Sequence, residues 1–209
     1  MALFVTLEGG EGAGKSLLAA ALAERLAGTN VVLTFEPGDT PLGALLREQL
    51  FNEALPLSPW AETFLFLAER AIHVSKVIRP ALARGAPVIC DRFVDSTVAY
   101  QGYGRRLDPP LIKLMNQQAT NGLLPQITLL LDVPVEEGLR RTRNERGDRI
   151  GREAIEFHRR VAEGFKRIAL KEPDRIQQLD ANRPASEVLE TAWTILEPRL
   201  AAAGHRGSR

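Results

Sequence analysis

Residues 9–16 read Gly-Gly-Glu-Gly-Ala-Gly-Lys-Ser, a complete Gly-x-x-x-x-Gly-Lys-Ser phosphate loop. The chemistry this pattern supports is the grip of a nucleotide polyphosphate. Gly9, Gly10, Gly12 and Gly14, with Glu11 and Ala13 between them, let the main chain turn tightly and aim N–H groups inward. A helix opening near Lys15 adds the positive end of its dipole. Lys15 is expected to bring a mobile charge to the β- and γ-phosphates, and the Ser16 hydroxyl to ligate Mg2+. The motif carries this meaning only between a strand and a helix. Here the apolar run Leu3–Leu7 precedes it and the helix-like run Leu17–Leu26 follows.

Four further clusters have chemistry in their residue types. Asp91-Arg92-Phe93 follows the apolar run Val88–Cys90, at a strand's carboxyl end, where open α/β sheets bind ligands. Asp91 is placed to reach the metal or its waters, and Arg92 to fork onto a phosphate. The competing reading is a salt bridge between these two neighbours. Asp132, after Ile127–Leu131, is the second metal candidate, ranked lower because no cation adjoins it. Phe66 and Arg70 share a helix face and fit a nucleobase platform, the ring stacking and the guanidinium hydrogen-bonding. Alternatively they are a core aromatic and a snorkelling arginine.

Between residues 140 and 152 six arginines (Arg140, Arg141, Arg143, Arg146, Arg149 and Arg152) face two acids, bracketing a tip at Gly147 and Gly151. A solvated helix face, a nucleic-acid patch and a lid over transferring phosphates compete. Without interleaved aromatics for bases to stack on, the patch is poorly supported, and the lid is favoured. Glu11 sits oddly beside a polyphosphate, which suits it to an acceptor's sugar hydroxyl or a magnesium-bound water. Glu36, in the turn Glu36-Pro37-Gly38, is equally suited to a structural role and to holding a water or the metal.

The elements that must position these residues alternate between short β-type runs and longer helical patterns. Leu3–Leu7, Val31–Phe35, Val88–Cys90, Ile127–Val133 and Arg175–Leu179 read as strands, almost continuously apolar, as when helices cover both faces of a parallel sheet. One long helix is predicted from Pro59 to Arg84, with Trp60, Phe64, Leu67, Ala71, Val74 and Ile78 as its buried stripe. Another runs from about Glu153 to Glu172, stopped by Pro173. A single domain over residues 1–200 is expected, with a disordered tail at 201–209.

The chain's 209 residues, 44% of them apolar, suffice for a full core in such a domain. A net charge of +1 gives no global pull toward nucleic acid or membrane, so anion binding must be local. Cys90, the single cysteine, reads as a buried strand residue in a reducing, cytoplasmic setting. No apolar run approaches a membrane span, and no export leader is recognisable.

Together these residues resemble the thymidylate kinase family, nucleoside monophosphate kinases that move a γ-phosphoryl group from ATP to dTMP. The resemblance runs from about Leu3 to Leu179. It is carried by Gly9–Ser16, Glu36-Pro37-Gly38, Phe66 to Arg70, and above all by Asp91-Arg92-Phe93-Val94-Asp95-Ser96-Thr97-Val98-Ala99-Tyr100-Gln101-Gly102. It implies an α/β P-loop kinase with a parallel sheet of about five strands, helices on both faces and an Arg-rich lid at about 140–152. It further implies ATP with Mg2+, a cytoplasmic location and a homodimer.

By the same resemblance, Phe66 stacks on thymine, Arg70 bonds its carbonyl, and Thr97 with Gln101, beside Ser96, reads the remaining polar edge. Arg92 holds the acceptor phosphate with Arg47, Tyr100 packs under the deoxyribose, and Glu11 meets the 3′-hydroxyl. Glu36 joins this acceptor set. The family's catalytic arginine lies in the phosphate loop or the lid. Gly12 occupies the loop position, so Arg143, Arg146 and Arg149 become the candidates. Three departures stand out: Phe35 replaces an arginine, Asp39 a glycine, and Gly151 an acid. Rival functions are a kinase for another acceptor, an ATP-binding switch without transfer, and a nucleic-acid-dependent ATPase.

Overall fold

A computed structural model describes residues 2–51, 56–142 and 149–204. Five parallel strands form one sheet: β1 (Phe4–Gly9), β2 (Val32–Phe35), β3 (Val88–Asp91), β4 (Ile127–Asp132) and β5 (Ile176–Asp180), in the order β2-β3-β1-β4-β5. Successive side chains of a strand point to opposite faces, and the core divides accordingly. Val5, Leu7, Leu129 and Leu131 pack with α1 (Lys15–Arg25) and α9 (Ala185–Ala202) on one face. Phe4, Val88, Cys90 and Leu130 belong to the two clusters on the other. Those clusters include residues of α5 (Val94–Thr97) and α8 (Ile155–Lys171). Cys90 is a free thiol with no exposure, its Sγ donating to the Arg92 carbonyl at 3.1 Å.

The remaining helices are α2 (Pro41–Phe51), α3 (Pro59–His73), α4 (Arg79–Ala83), α6 (Pro109–Ala119) and α7 (Val135–Thr142). Two π-helical segments, Val74–Ile78 and Val98–Gly104, join α3 to α4 and continue α5. Because α1 leaves β1 on one face while α5 leaves the adjacent β3 on the other, a crevice opens at the carboxyl ends of these strands.

Several boundaries differ from the sequence reading. Strands β1 and β3 run on to Gly9 and Asp91, because parallel pairing continues through polar residues: Leu7 registers with Asp91 and Glu8 with Leu130. The helix predicted over Pro59–Arg84 is instead α3, a π-helical segment and α4. Its expected apolar stripe fails at Phe64, which is 54% exposed and stacks on Trp60 at 5.9 Å. The buried face of α3 carries Glu62, Thr63, Glu69, Arg70 and His73. Apolar periodicity cannot find a face buried against other polar side chains. At the end of the chain α9 continues to Ala202, so Ala201 and Ala202 are helical; residues 205–209 lie outside the described set.

Candidate active site

One cavity of about 580 Å3 occupies the crevice, with the phosphate loop at one end and Phe66, Arg70 and Gln101 at the other. At the loop end, Gly12 has φ +65°, and a Cβ there would lie 2.0 Å from the Gly138 carbonyl oxygen. Main chain of loop and α7 therefore touch where only glycine fits. Gly14, at φ +87°, precedes the first turn of α1. The Lys15 ammonium donates to the Gly10 carbonyl at 2.8 Å and is buried. Burial and neighbouring Arg92 outweigh Glu11, Asp91 and Glu8, lowering its pKa to about 8.

The Ser16 hydroxyl donates to Asp91 Oδ2 at 2.5 Å, while Asp91 Oδ1 is buried with no hydrogen-bond partner among the described residues. A spare carboxylate lone pair beside a hydroxyl fits a hydrated magnesium ion, which keeps several waters and takes its other ligands from phosphates. No cluster of three or more acidic, His or Cys side chains forms a closed cation site among the described residues. Asp132, the second metal candidate, lies outside this cavity near Lys166, at 3.9 Å.

Arg92 pairs with Glu11 rather than with Asp91. Its Nη2 lies 3.0 Å from Glu11 Oε1, which also accepts from the Tyr100 hydroxyl at 2.7 Å. Burial opposes the charge on Glu11, but Arg92, Lys15 and Tyr100 prevail and hold its pKa at about 2. The Arg92 backbone is left-handed, φ +69°, a conformation a long side chain adopts only when its surroundings impose it. Glu8 does so from beneath: its carboxylate accepts from the Phe93 N–H at 2.8 Å, the Ser96 N–H at 3.2 Å and the Ser96 hydroxyl at 2.5 Å. Burial and nearby Asp95 push the Glu8 pKa up to about 8.

At the far end Arg70 is 1% exposed and almost fully committed. Nε donates to Glu36 at 2.8 Å, Nη1 to Thr97 Oγ1 at 2.6 Å and Asn116 Oδ1 at 2.5 Å, and Nη2 to the Phe93 carbonyl at 3.0 Å. Five N–H groups less these four bonds leave one, on Nη2, of a side chain that lines the cavity. Glu36, which the resemblance puts in the acceptor set, spends its other oxygen on His73 Nδ1 at 2.9 Å, so both oxygens hold protein groups. Burial opposes a charge on His73, yet Glu36 raises its pKa.

Asp39 and Phe35, two departures from the pattern that the resemblance implies, have partners here. Asp39 accepts the Thr34 hydroxyl at 2.5 Å, and Thr34 Oγ1 lies 2.6 Å from His73 Nε2, closing the chain behind Glu36. The guanidinium of Arg47 lies 5.7 Å from the Phe35 ring and 4.9 Å from that of Phe51, and donates to the Pro37 carbonyl at 2.8 Å. Aromatic stacking thus steadies one cation where a second is missing.

Of the lid arginines, Arg143 and Arg146 lie outside the described residues. Arg149 is placed away from the phosphate loop: Nη2 meets Glu62 Oε2 at 2.7 Å and Nε the Leu50 carbonyl at 3.1 Å. Gly151 lies in the turn before α8, and Glu153 two residues on pairs with Arg105. Arg141, on α7, lines the cavity while held by Glu137 at 2.9 Å and the Ala181 carbonyl at 3.0 Å.

Sequence reasoning missed Glu8, Glu62, His73, Asn116 and Arg141 as members of the site. Of these only Arg141 gave a signal, as part of the arginine run. The others are single polar residues that long-range folding brings in.

A parallel α/β sheet with a phosphate loop at its crevice and two arginine-lined ends to one cavity defines a phosphotransferase of the P-loop kinase class. The thymidylate kinase family profile matches residues 7–192. Thymidylate kinase of Synechococcus sp. (strain JA-3-3Ab) is 53% identical over 203 residues, covering 96% of this chain and 98% of the relative. That of Deinococcus radiodurans is 46% identical over 200 residues, covering 94% and 97%. The crystal structure of thymidylate kinase from Ehrlichia chaffeensis superposes with a TM-score of 0.77 at 36% identity, covering 93% of this chain and 98% of that one. The chain belongs to the thymidylate kinase family, and is a nucleoside monophosphate kinase.

Proposed function

We propose that this enzyme transfers the γ-phosphoryl group of ATP to dTMP, releasing ADP and dTDP, within the cavity bounded by Lys15 and Arg70. The observation that carries this reading is the pairing of a main-chain phosphate cradle with an aromatic and arginine platform across a single cavity. ATP lies along Gly9–Ser16, its β- and γ-phosphates against Lys15. Phe66 stacks on the base, the spare Arg70 N–H donates to a ring carbonyl, and Arg92 with Arg47 takes the acceptor phosphate. Tyr100, fixed by its bond to Glu11, presents its ring to the sugar and disfavours a 2′-hydroxyl. Ser16 and Asp91 would hold Mg2+, which would neutralise phosphate charge.

An acceptor phosphate oxygen attacks the γ-phosphorus as its bond to the ADP oxygen breaks. With a second pKa near 6, that phosphate is ionised at neutral pH and needs no general base. Alignment and charge neutralisation suffice for a loose transition state. A cytoplasmic location and a homodimer complete the proposal. The free, buried Cys90 supports the first, and apolar Leu42, Leu45 and Phe64 exposed on α2 and α3 support the second.

ADP release should be measured with ATP and, in parallel, dTMP, dUMP, dCMP and thymidine. Turnover is expected to be highest with dTMP and absent with thymidine, which lacks the attacking phosphate. ATP binding without turnover on any monophosphate would refute the proposal.

The depressed pKa of Lys15 adds a pH signature. In the free enzyme the protonated, phosphate-binding form is lost as pH rises through about 8. The value of kcat/KM for ATP should then fall about tenfold per further pH unit. Bound phosphates raise the pKa again, so kcat should stay level to higher pH. A kcat/KM profile flat to pH 10 would contradict this.

A further inference from the structure

Glu62, on α3, has no part in the phosphate chemistry above, yet it is 1% exposed at its side chain and gathers four donors. Oε1 accepts from Gln101 Nε2 at 2.8 Å and Arg105 Nε at 3.1 Å. Oε2 accepts from Arg105 Nη2 at 3.0 Å and Arg149 Nη2 at 2.7 Å. Burial works against its charge, but the bonds from Arg105, Gln101 and Arg149 prevail and hold its pKa below the usual carboxylate value. An ionised carboxylate only accepts, so the Gln101 amide must turn its NH2 to Glu62. Its carbonyl oxygen is thereby committed to the cavity that Gln101 lines.

We propose that Glu62 is a positioning residue for acceptor selection: by fixing the Gln101 amide it makes the site demand a base edge that donates an N–H. This rests on the acceptor reading given above. Thymine and uracil carry that donor at N3, next to a carbonyl that can take the spare Arg70 proton. Cytosine presents an acceptor at N3. An unrestrained glutamine amide would rotate to suit either ring. Here rotation would set an amide oxygen against a buried carboxylate and strand the NH2 group. Arg105 and Arg149 hold Glu62 ionised, and so keep the rule in force.

The test is kcat/KM for dTMP and dCMP in the unaltered enzyme and in Glu62→Gln. A neutral amide at position 62 both donates and accepts, releasing Gln101 to rotate. The dTMP-to-dCMP ratio is expected to fall about tenfold or more, the scale of one buried hydrogen bond, with the KM for dTMP rising more than kcat falls. If Glu62 only supports the fold, both substrates lose activity together and the ratio stays put, which overturns the proposal. An unaltered enzyme that does not prefer dTMP would instead sink the acceptor reading itself.

Because Glu62→Gln leaves two arginines short of a partner, a second measurement keeps the inference testable should that variant not fold. In the unaltered, 15N-labelled enzyme, the Gln101 side-chain amide protons, assigned by comparison with Gln101→Glu, should exchange slowly with solvent and stay at Glu62 when dTMP is added. Exchange as fast as an exposed glutamine's, or transfer of these protons onto the nucleotide, also overturns it.

Discussion

Replacing Lys15 with methionine is expected to lower kcat by about 10²- to 10³-fold, the range for removing one preorganised charged donor from a developing transition state, while leaving the protein folded. The two halves of this prediction have one origin. Lys15 is the cation nearest the phosphate cradle, tied to the Gly10 carbonyl and enclosed by the loop. Its pKa, about 8 against a usual 10.5, shows that folding disfavours its charged form. With the folded value depressed, the charge counts against stability below about pH 8, and that handicap fades as pH climbs toward 10.5. Thermal melting of Lys15→Met at pH 7 should therefore match or exceed that of the unaltered enzyme. A variant retaining a tenth of the turnover, or melting well below the parent, would refute the assignment.

Arg70→Ala should fail on both counts. From sequence, the expected effect is chiefly a higher dTMP requirement. Loss of one hydrogen bond from a charged group corresponds to an increase of about 10- to 100-fold in KM. The structure adds a stability cost. Glu36, at 3% exposure, would be left with only His73 opposite, and Thr97, Asn116 and the Phe93 carbonyl would lose their donor. Breaking a buried pair by removing one partner costs about 3–5 kcal/mol. For a chain of this size that lowers Tm by roughly 10 °C. Arg70→Lys should not rescue it, because a point ammonium cannot span acceptors set out for a planar fork. Calorimetry with dTMP-dependent kinetics checks both. An unchanged Tm would mean that the Glu36, His73 and Arg70 chain carries no stability.

The same residue shows where sequence stops being informative. Phe66 and Arg70 could be paired from helical spacing alone, yet that spacing is equally met by a core aromatic and a snorkelling arginine. The choice between them depends on Asn116, Thr97 and Glu36, residues far away in the chain that only the folded sheet gathers around the guanidinium. The expected stripe through Phe64 went wrong for a related reason. Apolar period reports which residues avoid water, whereas α3 buries its polar face against the site it serves. The turn around Glu36 fits a structural and a binding role equally, because it does not tell what lies opposite the carboxylate. Arg149 joins the lid candidates through the arginine run and the family resemblance together, and its contact with Glu62 is out of reach of any local pattern.

What the sequence determined by itself is the part governed by short-range rules. It located the phosphate loop between strand and helix, set alternating apolar runs that must pair as a parallel sheet, and placed Asp91 and Arg92 at a strand end. Each of these follows from backbone freedom, side-chain branching or spacing within a few residues. The tertiary structure decided which charge meets which: Arg92 with Glu11, Ser16 with Asp91, Arg70 with Glu36, and Glu62 with Gln101, Arg105 and Arg149. Coulomb and hydrogen-bond energies depend on distance through space and on water exclusion, and neither is set by separation along the chain.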